Sequence, residues 1–132
     1  MAKVLAIGFN REELGLLRKA LEGIPVEGVS TDYLGEVVSE IFEKAKGDEC
    51  DWHERKFVLM AGVDGETIKE IVDRVKALGL GRIIFAAPTE ISMKWKLEDL
   101  LEELIEEDEY FRALAWARKE AKKKGSFLDF KP

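Results

Sequence analysis

Short unbroken apolar runs alternate along this chain with stretches in which apolar residues recur every three or four positions. The first run, Val4 to Phe9, has the pattern of a strand covered on both faces. Asn10, with Glu13 three residues on, reads as a helix N-cap with its capping-box partner. Leu14, Leu17, Arg18 and Leu21 then trace a helical stripe that stops at Gly23 and Pro25. Pro25 to Ser30 contains Gly28 and few apolar residues, which predicts a weaker strand at a sheet edge. Leu34, Val37, Val38, Ile41 and Phe42 give the next helical face, ending near Lys46 and Gly47.

Gly47 to Lys56 is polar and aperiodic, and reads as a loop. Phe57 to Val63 is the third strand, and Asp64 caps a helix whose buried face is Ile68, Ile71, Val72, Val75 and Leu78. Ile83 to Ala87 is the fourth strand, ended by Pro88, which has no ladder donor. Leu97, Leu100, Leu101, Leu104 and Ile105 open a long last helix whose stripe continues through Phe111 and Leu114 towards Gly125. The tail from Ser126 to Pro132 offers Phe127, Leu128 and Phe130 for packing.

Four alternations of strand and helix favour parallel strands joined by helical crossovers. The expectation is a single α/β domain over residues 1–132, a three-layer sandwich. It has four mainly parallel strands in the order 2-1-3-4, flanked by helices, with a long C-terminal helix.

Composition narrows the class. At 132 residues and 46% apolar, the chain is long enough for one sizeable core. Charged residues reach 36%, above the usual quarter or so, and the excess is largely Lys and Glu, a bias of thermophile surfaces. A net charge of -6 argues against a general phosphate-backbone binder, so nucleic acid is an unfavoured partner. A single Cys removes any intrachain disulfide and fits a reducing cytoplasm. No leader-like segment and no stretch of about 18 uncharged apolar residues is present, so the expected location is cytoplasmic, without a membrane partner.

In an open α/β sheet, ligands bind outside the carboxyl ends of the strands. That rim would gather Gly8 and Asn10 from the first strand, Gly62 and Asp64 from the third, and Thr89 and Glu90 from the fourth. Asn10 and Asp64 are also ordinary helix caps, and this reading is preferred because most helices have a cap. No G-x-G-x-x-G or G-K-[ST] motif supports a nucleotide, and no G-x-S-x-G elbow supports a serine hydrolase. Cys50 and His53 amount to half a zinc site with nothing to complete it, so no metal and no cofactor is expected. The eight carboxylates from Glu98 to Glu109 precede a basic end that starts at Arg112. Antiparallel pairing of two copies would match these halves, with Tyr110, Phe111 and Trp116 as interface anchors and a homodimer as the result.

The stretch Ile83 to Phe111, with its Pro-Thr-Glu stop, Trp95, Leu97, Leu100, Leu101, Glu103, Leu104 and the Glu-Glu-Asp-Glu-Tyr-Phe close, resembles a small bacterial and archaeal family catalogued as domain of unknown function 3783. Lys56 to Asp64 and Val4 to Phe9 are similar to its preceding strands. The family brings no activity or catalytic residue with it. The resemblance does imply that Thr89 and Trp95 act together, Trp95 pinning the strand–helix corner and Thr89 facing the cleft. Two functions compete: a non-enzymatic ligand-binding or protein-interaction module, and a small enzyme using carboxylates such as Asp64 and Glu90 at the strand ends. The scarcity of His, Cys and hydroxyl motifs favours the first.

Overall fold

A computed structural model describes residues 2–124, so the tail from Ser126 to Pro132 lies outside the described residues. Strands β1 (Lys3–Ile7), β2 (Val26–Gly28), β3 (Lys56–Ala61) and β4 (Ile83–Ala86) alternate with helices α1 (Arg11–Ala20), α2 (Val38–Lys44), α3 (Gly65–Lys76) and α4 (Leu97–Lys124). The sheet order is β2-β1-β3-β4. Residues up to Leu100 form one compact unit and the chain from Leu101 onward a second.

Both caps read from the sequence are made. Asn10 Oδ1 accepts from the Glu13 amide at 2.8 Å while Glu13 Oε1 accepts from the Asn10 amide at 3.0 Å. Asp64 Oδ1 accepts from the Thr67 amide at 2.8 Å. Each such cap stabilises its helix by roughly 1 kcal/mol. The alternation of strand side chains then divides the core. Val4, Ala6, Val58 and Met60 pack with Leu14 and Leu17 of α1, Leu21 at its C-cap, and Ile71 and Val75 of α3. Leu5, Ile7, Phe57 and Leu59 point to the opposite side, where α2 packs over β1 and buries Val38 and Ile41.

Helix α2 begins later than its apolar spacing predicts. Thr31–Tyr33 is a single 3-10 turn, and Val37 is extended. Val37 bridges antiparallel to Lys96, the Val38 amide donates to the Trp95 carbonyl and the Leu97 amide to the Glu36 carbonyl, both at 2.9 Å. Residues 34–37 are therefore held by the segment leading into α4, and the backbone bonds they make there replace helical ones.

Two of the three strand pairings are parallel, β1 with β2 and β3 with β4. The central pair is antiparallel, Lys3 opposite Ala61 and Ile7 opposite Phe57. The segment after α2 explains this. It runs beside β2, where the Gly28 amide donates to the Gly47 carbonyl at 2.9 Å. It then crosses the end of β1, where the Gly8 amide donates to the Cys50 carbonyl at 2.7 Å. The chain thus re-enters the sheet at the end where β1 and β2 leave it, and β3 must run the other way.

Candidate functional site

The antiparallel centre corrects the expectation of one shared rim. Gly8 and Asn10 follow β1 at one end of the sheet; Gly62, Asp64, Thr89 and Glu90 follow β3 and β4 at the other. Five residues of strand separate the two groups, about 17 Å.

At the first end, β1 leads into α1 on one face of the sheet and β2 leads towards α2 on the other, a divergence that opens a crevice between parallel neighbours. The chain fills that crevice itself. Besides the Gly8–Cys50 bond, Cys50 Sγ donates to the Phe9 carbonyl at 3.2 Å and Trp52 Nε1 to the Val29 carbonyl at 2.7 Å. Cys50 is buried, and burial pushes its thiol above the ordinary value, away from the reactive thiolate. His53 stacks edge-on against Trp52 and Phe57 and its Nδ1 accepts from the Arg55 amide at 2.9 Å. Burial holds His53 below its usual value, which keeps the ring neutral and able to accept that bond. What is left outside the plug is an open hollow of about 350 Å³ bordered by Arg11, Thr31, Glu49 and Trp52. A second open hollow of about 570 Å³ lies beside it, bordered by Asp32, Tyr33, Lys44 and Lys46. Lys44 there is ion-paired with Glu36.

Arg18 seals the flank of the plug. Its Nε donates to the Val26 carbonyl at 2.9 Å, and its two outer nitrogens reach the Gly47 carbonyl at 2.9 Å and Asp48 Oδ1 at 2.6 Å. The bond to Arg18 holds the Asp48 carboxyl below its ordinary value. The sequence set Cys50 beside His53 as half a zinc site and put Arg18 on the α1 stripe, and it gave Trp52 no role; the available signal for the plug was two apolar side chains inside a polar loop.

At the other end of the sheet, Asp64 is occupied as a helix cap, and its bonds to Thr67 hold its carboxyl below the usual range. The Thr89 hydroxyl lies 3.3 Å from Ser92 Oγ, and the Thr89 amide donates to Ser92 Oγ at 2.8 Å. The Met93 amide donates to the Thr89 carbonyl at 2.9 Å. Thr89 thus shapes the turn before Ser92–Lys94, and Glu90 is exposed. Among the described residues, no group of three or more His, Cys, Asp or Glu comes together to hold a metal ion. No helix among them is long and apolar enough to cross a membrane.

The remaining candidates lie on α4. Tyr110, Phe111 and Trp116 are 62%, 63% and 66% exposed, large values for aromatic side chains. The Tyr110 and Phe111 rings meet edge to face at 5.7 Å, and with Glu103, Glu106 and Glu107 they border an open hollow of about 370 Å³.

Residues 56–111 match the family described as a domain of unknown function, DUF3783. The matched stretch runs from the first residue of β3 to Phe111 within α4, and over it the chain resembles that family. No curated protein and no solved structure matches the chain.

Proposed function

We propose that this protein is a non-enzymatic interaction module that works through α4 and takes a second copy of the chain as its partner. The observation that carries the reading is the exposure of Tyr110, Phe111 and Trp116 on one helix. Aromatic side chains of this kind anchor interfaces when they are desolvated by a partner. The helix also supplies a partner's charge: carboxylates at Glu102, Glu103, Glu106 and Glu107, then Arg112, Arg118 and Lys119. Antiparallel association sets the acidic half of one helix against the basic half of the other. A small-molecule reading has less beneath it, because Cys50 and Trp52 occupy the strand-end crevice. The enzyme reading relies on Asp64 and Glu90, of which the first is tied to a cap and the second is solvated. A cytoplasmic setting and a heat-loving source accord with the single buried Cys and the Lys- and Glu-rich composition.

Equilibrium sedimentation of the intact chain and of Trp116→Glu tests the reading. The parent is expected well above its 15.0 kDa chain mass, and the variant to fall towards it. A parent that stays at 15.0 kDa at every concentration ends the proposal.

A further inference from the structure

Glu103, Glu107, Tyr110, Phe111, Leu114 and Arg118 each stand three or four positions from another of the set, and so share one face of α4. At one end of this face is the hollow of about 370 Å³ where three carboxylates stand beside the edge-to-face rings of Tyr110 and Phe111. At the other end is Arg118, exposed and in no ion pair with a described residue. Carboxylates beside aromatic rings suit a guanidinium, which stacks flat on a ring and bonds two carboxylate oxygens at once. Arg118 cannot fill the hollow of its own helix, because it stands about 16 Å along the axis from Glu107. Arg112 and Lys119 stand about 100° round the helix from Phe111 and Arg118, at the rim of the face.

Resting on the pairing of α4 already proposed, we infer that Arg118 of one copy seats in this hollow on the other, and that two such contacts set the register of the antiparallel pair. A two-fold axis makes the contact twice, once in each direction. The occupant is a second copy because the same face carries both halves of the match, an acidic aromatic hollow and the cation that fits it. Seating Arg118 between Glu103 and Glu107 places the axis beside Phe111, midway between them along the helix. That register also brings the Tyr110–Phe111 pairs of the two copies together. Charge and aromatic groups thus call for one alignment.

Equilibrium sedimentation of Arg118→Glu, of Glu107→Lys and of their equimolar mixture tests it. Each variant alone sets like charges together at both contacts and is expected to associate at least about tenfold more weakly than the parent. In the mixture, a pair of unlike variants restores both contacts, so association is expected to return to the parent's strength. A mixture no stronger than its components overturns the inference, as does an Arg118→Glu that associates like the parent. If association is lost in Trp116→Glu and kept in Arg118→Glu, the contact lies on another side of α4, and the pairing stands without this register. A parent that stays monomeric removes the pairing itself and this contact with it.

Discussion

Gly8 and Arg55 stand in backbone contact: a Cβ added to Gly8 would lie 2.0 Å from the Arg55 carbonyl oxygen. Gly8 also has φ +88°, in the left-handed region where side chains are strained. The returning segment passes so close to the end of β1 that only glycine fits. Gly8→Ala is therefore expected to cost about 3 kcal/mol or more, from overpacking and strain together. Gly15 is the contrast, helical with nothing within 4 Å of its would-be Cβ. Gly15→Ala is expected to raise stability by about 0.5–1 kcal/mol. Urea denaturation of both variants checks the pair.

Trp52 is the plug's polar anchor. Trp52→Phe keeps an aromatic ring, though a smaller one, and leaves the Val29 carbonyl without the donor now 2.7 Å away. A loss of about 1–2 kcal/mol is expected. Faster exchange of the Gly8 amide, which donates to the adjacent Cys50 carbonyl, should accompany it. Unchanged stability and unchanged Gly8 exchange would show that the loop is held by other contacts.

Stability should fall in mild acid through His53. The fold holds this ring below its ordinary value of 6.5, so the unfolded chain binds the proton more readily. His53 thus contributes stability that is present above pH 6.5 and is lost as pH drops towards the folded value. Protonation removes the Nδ1 acceptor of the Arg55 amide and places a charge between Trp52 and Phe57. Urea midpoints across this range should decline for the parent and decline less for His53→Gln. Asp48 and Asp64, both held below 3.8, add a further loss only in stronger acid, as pH falls through their folded values.

Much of the fold was legible because its signals are local. The run Val4 to Phe9, the poor strand around Gly28 and the caps at Asn10 and Asp64 each carry their own side-chain mark, and the strand order followed. The sense of β3 was not legible. It depends on where the carbonyls of Gly47 and Cys50 bond, and backbone carbonyls leave no trace in a sequence. The site reading inherited that gap: with β3 reversed, Gly8 and Asn10 separate from Gly62, Asp64, Thr89 and Glu90. Helix α2 was read too long for a related reason. Leu34 and Val37 fit its stripe, yet their neighbourhood is bonded to Trp95, Lys96 and Leu97, far along the chain. Tyr110, Phe111 and Trp116 lie where the spacing put them, on a single helix, and their exposure needed coordinates.

Arg18 should not be replaceable by lysine. Three of its bonds run from a planar fork to two carbonyls and a carboxylate, a geometry one ammonium cannot reproduce. Because the side chain is 37% exposed, solvent screens the ionic part. Arg18→Lys and Arg18→Ala are expected to lose similar stability, about 1 kcal/mol, as the Val26 carbonyl loses its donor. Full rescue by lysine in thermal unfolding would mean that charge alone suffices.

The direct test of α4 pairing is a zero-length cross-link between carboxylates and amines, mapped by mass spectrometry. Within one continuous helix, Glu102 and Lys119 lie about 25 Å apart, beyond any such bond, so a link between them must join two chains. Antiparallel pairing of α4 predicts that Glu102–Lys119 or Glu103–Lys119 peptides appear, confined to species larger than one chain and absent from Trp116→Glu. A multimer that yields no such peptide, or a chain that runs only as a monomer, would contradict it.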